Sequence, residues 1–265
     1  MSSAYKPPIL ELKEVCFCYS KTEKLINDLS FSVGEGEFIG LLGANGSGKS
    51  TMLKLGSGIL KNMSGAVDLW GKPLGLYNNK DRAKLICYLP QTLDISVPFT
   101  VGELVSMGLY PYDIPPSLSV AEALEMAGLS EKRDSYLSDL SGGEKRRTFI
   151  AMTLLQGAGL LLLDEPLANL DIKYQIELVR LLKKLKSDRN ISVVMALHDI
   201  NIALQFEKVM LIKDGRMLGA GAPEEILTEG NIKKAFDVDV RIIKETDEGK
   251  AFISYEDNFQ EGRRS

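Results

Sequence analysis

The sequence predicts an α/β fold with a mainly parallel sheet core, an N-terminal antiparallel β subdomain and a helical subdomain inserted between strands. Three observations predict it. Short apolar runs alternate with stretches of helical spacing along much of the chain, as a parallel sheet flanked by helices requires. One run, at residues 160–163, is LLLL, apolar at every position and suited to a strand buried on both faces. Between residues 100 and 157 the spacing is mainly helical instead, as in VGELVSMGL and VAEALEMAGL, with Pro111, Pro115 and Pro116 breaking it.

The elements follow in order. Residues 10–19 and 29–33 read as strands, with residues 21–24 as the polar turn between them. Residues 37–42 form a strand that runs straight into GANGSGKST, after which residues 52–60 read as a helix. Short strands are expected near 67–70 and 85–89, followed by the helical insertion at about 93–157. The sheet resumes at 160–163, and then come a helix at 172–187, a strand at 191–196, a helix at 199–206 and a strand at 208–212. Two short helices and a strand pair complete a domain spanning 1–257, and the polar residues 258–265 are expected to be disordered.

Composition excludes several classes. Of 265 residues 45% are hydrophobic and 26% charged, which argues against a disordered or fibrous chain. With 32 basic and 36 acidic residues the net charge is −4, giving no overall bias toward nucleic acid, and none is expected as a partner. The three cysteines, Cys16, Cys18 and Cys87, are too few and too badly spaced for a disulfide framework and read as reduced, buried thiols, the first two on one face of a strand. No run approaches the ~18 apolar residues of a membrane span, so any membrane function needs a partner.

Chemistry concentrates in two motifs. Residues 43–50 match GxxxxGKS between a strand and a helix, the setting in which the motif cradles phosphates. Gly43, Gly46 and Gly48, with Asn45 and Ser47 between them, let consecutive amides turn inward around an anion. The helix that follows adds its positive end. Lys49 can reach the β- and γ-phosphates, Ser50 offers a hydroxyl to Mg²⁺, and Thr51 is the next donor. In LLLLDE, Asp164 ends the strand in position to hold Mg²⁺, and Glu165 stands where a general base would orient and deprotonate water. Together these specify only a P-loop NTPase that works with Mg²⁺.

Further segments narrow the reading. LSGGEKRR at 140–147 resembles the signature sequence of ATP-binding-cassette (ABC) ATPases. By that resemblance Ser141, Gly142, Gly143 and Glu144 belong to the nucleotide site of a second copy, and a serine and two glycines opening a helix suit an anion. Gln91 in YLPQ is similar to the family's Q-loop glutamine, which meets Mg²⁺ or the attacking water and links the sheet to the helical part. Asp171 in LANLD is similar to the loop aspartate that crosses the dimer interface. His198 in ALHDI, the only histidine, is similar to the switch histidine that contacts the γ-phosphate. Tyr19 resembles the aromatic that stacks on adenine, for which a ring with a free face is apt. Glu144, where glutamine is frequent, and LAN before Asp171 depart from the family pattern without removing a catalytic group.

The resemblance implies an ATP-hydrolysing subunit that dimerises around two ATP molecules and energises a transporter. Residues 99–112, FTVGELVSMGLYPY, with DRAKLICYLPQ and AFDVDVRII, are similar to ATPases of bacterial importers for iron chelates (siderophores), haem and cobalamin. The implied partners are a second copy, transmembrane permease subunits and, indirectly, an extracytoplasmic substrate-binding protein. The implied location is the cytoplasmic face of the cell membrane, as a peripheral subunit. Leu93, Ile95 and Phe99 are expected to offer an exposed apolar patch to the permease. The readings weighed against this are a non-transport ABC ATPase and the ATPase of a zinc or manganese importer.

Overall fold

The computed structural model describes residues 7–20, 25–92, 98–244 and 251–255. The chain opens with β1 (Leu10–Phe17), β2 (Ile26–Val33), β3 (Phe38–Leu42), α1 (Lys49–Ser57), β4 (Ser64–Leu69), β5 (Lys72–Pro73), α2 (Asn79–Ala83) and β6 (Ile86–Leu89). Three helices follow, α3 (Val101–Ser106), α4 (Val120–Met126) and α5 (Gly142–Gln156). The sheet then resumes with β7 (Leu160–Leu163), α6 (Ile172–Arg189), β8 (Ser192–Ala196), α7 (Ile200–Ala203), β9 (Lys208–Lys213) and β10 (Arg216–Gly221). Last come α8 (Pro223–Ile226), α9 (Glu229–Phe236), β11 (Val240–Lys244) and β12 (Ala251–Tyr255).

The larger sheet has the order β10-β9-β3-β8-β7-β6 and is parallel except at β10, which returns antiparallel to β9. An antiparallel sheet of order β2-β1-β4-β5 covers one of its sides. The period-2 rule explains the layering. Phe38 and Leu42 of β3, with Val193 and Met195 of β8, face a core shared with α6 and α7. Ile39 and Leu41, with Val194 and Ala196, face a second core shared with α1 and the antiparallel sheet. A third cluster, including Val101, Leu104, Leu124, Ala151 and Leu155, holds α3, α4 and α5 together.

The register places the functional ends side by side. Leu41 pairs with Ala196, Met195 with Leu163, and Leu163 with Leu89, so β3, β8, β7 and β6 all finish on one edge. In open α/β sheets ligands bind outside that carboxyl edge. The C-terminal hairpin of β11 and β12 is fastened to α7, because the Asn201 amide donates to Ile253 O at 3.1 Å and accepts from Ile253 N at 2.7 Å.

Several expectations are corrected. The helix expected at 52–60 begins at Lys49, since the left-handed turn at Gly48 (φ 103°) launches it directly. The helix expected at 199–206 is the single turn Ile200–Ala203, capped by Asp199. Strand β10 was not expected, because an edge strand with one wet face lacks a continuous apolar run. Cys18 lies beyond the end of β1, and all three thiols are half-buried rather than buried. Phe99 packs against the α3–α5 cluster and is no exposed patch, while Leu93, Ile95, residues 21–24 and the polar tail lie outside the described residues.

Candidate functional site

The phosphate loop joins β3 to α1, and its glycines are dictated by space and backbone. A Cβ on Gly43 would stand 2.3 Å from Ile212 O and 2.6 Å from Ser47 Oγ, so any side chain there would break the loop apart. Gly46 and Gly48 have φ of 80° and 103°, left-handed values that favour glycine. Lys49 is only 4% exposed, and its Nζ donates to Gly43 O at 2.8 Å and to Ala44 O at 3.2 Å. Burial pushes the Lys49 ammonium below its ordinary range, against the pull of Glu165 and Asp164.

Three features of this loop fit a phosphate. The Ser47 hydroxyl is buried without a hydrogen-bond partner. Helix α1 starts with no side-chain cap and no acid in its first turn, so its positive end is open. An open cavity of about 160 Å³, bordered by Asn45, Gly46, Lys49, Ser50, Thr51 and Glu165, lies in front of it, with room for a phosphate group. Tyr19 stands at the rim, 63% exposed, its hydroxyl 3.3 Å from Thr51 Oγ1 and its ring edge-on to Phe17. Its outer face is free to stack on a planar group.

Asp164 and Glu165 leave the end of β7 into this space. Asp164 is buried, and both its oxygens are engaged: Ser50 Oγ donates to Oδ1 at 2.9 Å and Tyr88 OH to Oδ2 at 2.9 Å. Burial, and then the charge of Asp164, push the Tyr88 phenol well above its usual range, so it remains a donor. The Ser50 and Asp164 oxygens are hard ligands of the kind Mg²⁺ takes. Among the described residues no group of three or more His, Cys, Asp or Glu side chains could hold a metal. Ser50 and Asp164 are the residues that would hold such a cation here.

Glu165 is 8% exposed and gathers three motifs on one carboxylate. Its Oε2 accepts from Gln91 Nε2 and lies 2.5 Å from His198 Nε2, while Oε1 is 4.0 Å from Lys49 Nζ. Gln91 thus meets the candidate base, and its amide nitrogen is not turned to the Ser50–Asp164 pair. Tyr88 was missed by sequence reasoning. The signal that could have found it is its place on β6, opposite Leu162 of β7, which brings it within reach of the acid two residues further on.

The signature segment is built differently. Ser141 caps α5 through a reciprocal box: its Oγ accepts from Glu144 N at 3.3 Å, and Glu144 Oε2 accepts from Ser141 N at 2.9 Å and Ser141 Oγ at 2.8 Å. The Ser141 amide, chiefly, holds the Glu144 carboxyl below the usual carboxylate range, with Lys132 3.4 Å away. At Gly143 a Cβ would come 3.2 Å from the Tyr174 ring. Asp171 is exposed at the start of α6 and makes no side-chain cap. Among the described residues no hydrogen bond or ion pair joins Ser141, Gly142, Gly143, Glu144 or Asp171 to the phosphate loop.

Fold and site together define a P-loop NTPase. A family model described as ABC transporter matches residues 26–168, more than half of the chain. The iron(3+)-hydroxamate import ATP-binding protein FhuC of Bacillus subtilis is 37% identical over 227 residues, covering 83% of this chain and 84% of that protein. The ABC transporter ATP-binding protein YvrA of the same organism is 37% identical over 239 residues; these take in 87% of this chain, which spans about half (54%) of that protein. Among solved structures, the dimeric ATP-binding cassette MJ0796 with ADP and phosphate bound has a TM-score of 0.71 at 27% identity, over 81% of this chain and 98% of that one. The chain belongs to the ABC transporter family, among its ATP-binding subunits.

Proposed function

We propose that this chain is the ATP-hydrolysing subunit of an ABC importer, that it works as an ATP-bridged pair on transmembrane permease subunits, and that the cargo is an iron–siderophore complex, haem or cobalamin. The observation that carries the reading is the meeting of Lys49, Gln91 and His198 on the Glu165 carboxylate at the mouth of the phosphate loop. A carboxylate held by a cation, an amide and an imidazole beside the γ-phosphate position is equipped to orient water and take its proton. Lys49 and the open end of α1 are suited to hold the phosphates, Tyr19 the adenine, and Ser50 with Asp164 the Mg²⁺ that screens phosphate charge.

The signature supports the pairing. Among the described residues no hydrogen bond or ion pair ties Ser141, Gly142 and Gly143 to the phosphate loop of their own chain, and their proposed place is on the nucleotide of a second copy, with Asp171 crossing the two-fold interface. Closure around ATP completes each site and hydrolysis releases it, which sets the conformation of the permease. No helix among the described residues is long and apolar enough to cross a membrane, so attachment at the cytoplasmic face runs through the permease, which in turn receives cargo from an extracytoplasmic binding protein.

The test is phosphate release and ATP-dependent dimerisation of the purified chain, followed by pull-down from membranes. Glu165→Gln should abolish steady-state release while trapping an ATP-bound dimer that co-purifies with a multi-span membrane protein. Release undiminished in that variant would sink the assignment of the base, and absence of a membrane partner would favour a non-transport ATPase.

A further inference from the structure

The loop from Glu165 to Asp171 carries two non-glycine residues in left-handed backbone, Glu165 at φ 48° and Asn169 at φ 59°. Glu165 also precedes Pro166, which restricts its backbone further. Such conformations persist only where the surroundings over-determine them. Here the loop's own turn bond, Ala168 N donating to Glu165 O at 3.1 Å, is reinforced from outside. The guanidinium of Arg146 forks across two carbonyls, Nη1 donating to Glu165 O at 3.2 Å and Nη2 to Ala168 O at 2.9 Å. From the other side, Gln175 Nε2 donates to Leu167 O at 3.3 Å and Leu170 O at 3.0 Å.

Arg146 is an unusual tie. It is only 7% exposed, and among the described residues it has no ion-pair partner, so a full charge is buried to serve backbone carbonyls alone. A buried cation without a carboxylate is costly unless its donors are well used. It lies on the second turn of α5, the helix that Ser141 and Glu144 open. The carbonyl it grips belongs to the residue whose carboxylate meets Lys49, Gln91 and His198.

Resting on the functional reading above, we infer that Arg146 is a positioning residue for hydrolysis, fixing the backbone of Glu165 and tying that carboxylate to the signature helix. The fork keeps the Glu165 peptide from rotating out of its left-handed state, so the carboxylate stays aimed at the phosphate loop. Any shift of α5 when its N-terminus engages a nucleotide is passed to Glu165 through these two bonds. Arg146 itself touches neither the reacting atoms nor the nucleotide.

The test uses the full chain. Steady-state phosphate release, thermal melting and ATP-dependent dimerisation are measured for the wild type and Arg146→Lys, with dimerisation repeated in a Glu165→Gln background. Lysine keeps the charge but cannot fork across two carbonyls. The expected result is a kcat roughly tenfold or more lower with KM for ATP within about twofold, the pattern of a lost transition-state contribution. The doubly substituted chain should still form the ATP-trapped dimer, because the phosphate loop and signature turn are unchanged. An unchanged kcat, a loss that falls on KM, or disappearance of the trapped dimer would overturn the inference, since a merely structural role predicts the last. Should Arg146→Lys not fold, Gln175→Ala loosens the same loop from α6 and should lower kcat about threefold at constant KM; an unaffected kcat there also overturns it. A wild type without ATP turnover would remove the functional reading itself, whereas normal turnover with an indifferent Arg146→Lys removes this inference alone.

Discussion

Helices α1 and α5 both follow turns rich in glycine and serine, and both are expected to point a positive end at a phosphate, yet their first turns are filled in opposite ways. At α1 the preceding residue is Gly48, no side chain caps the helix and no acid stands in the first turn. At α5 the cap is complete: Ser141 and Glu144 satisfy each other, and a carboxylate already occupies the electropositive end. The first helix end is prepared for an anion in a single chain. The second carries an anion of its own, and the capping box engages the Ser141 and Glu144 amides while leaving those of Gly142 and Gly143 outside it, so on the proposed reading a γ-phosphate there would share the turn with Glu144. One helix end therefore has its charge uncompensated and the other has it partly neutralised.

The largest effect tests the prepared end. Lys49→Ala removes the buried cation next to the open helix terminus and should cut phosphate release by about a hundredfold or more, the scale for loss of one preorganised group on a developing charge. Substantial turnover in that variant, measured by steady-state phosphate release, would break the comparison. A smaller effect sharpens it. Glu144→Gln keeps the acceptor for Ser141 N but removes the charge, which is worth about 0.3–1 kcal/mol at a helix N-terminus. In a Glu165→Gln background this variant should need roughly two- to fivefold less ATP to dimerise, read by size exclusion against ATP concentration.

The smallest effect is on pH dependence. Glu144, like Glu103 and Glu122 at the starts of α3 and α4, has its carboxyl held below the ordinary value of 4.5, chiefly by the backbone amide of its capping partner. A depressed carboxyl pKa contributes stability that is present above the unfolded value and lost as pH falls through the folded one. Protection from hydrogen exchange, taken relative to the intrinsic rate at each pH, should therefore fall at the N-terminal turns of α3, α4 and α5 as pH drops below about 4.5, before α1 responds. Simultaneous loosening of α1 would show that the difference between the helix ends is not electrostatic.

Local signals carried most of the reading. Strand β7 lies where LLLL predicts it, and Lys49–Ser50 and Asp164–Glu165 are each legible as contiguous strand-to-loop steps, though the two pairs meet only because β3 and β7 finish on the same edge of the sheet. What stayed hidden is non-local. Tyr88 reaches Asp164 only because β6 pairs with β7, and Arg146 reaches Glu165 only because α5 packs beside that loop. No spacing rule connects either pair. Strand β10 was missed for the opposite reason: its alternating exposure leaves too weak an apolar signal for a single edge strand. The Glu144 box, by contrast, is local: SGG reads as a helix cap as well as a nucleotide contact, and Glu144 completes that cap.

The clasp between Asn201 and Ile253 bears on how this protein can be handled. Asn201 sits three residues past His198 and grips both backbone groups of one residue in the last described strand. Strand β12 is in this way harnessed to the segment that presents the imidazole. Truncations that remove β12 would cut this tether, so kinetic work belongs on protein that keeps it.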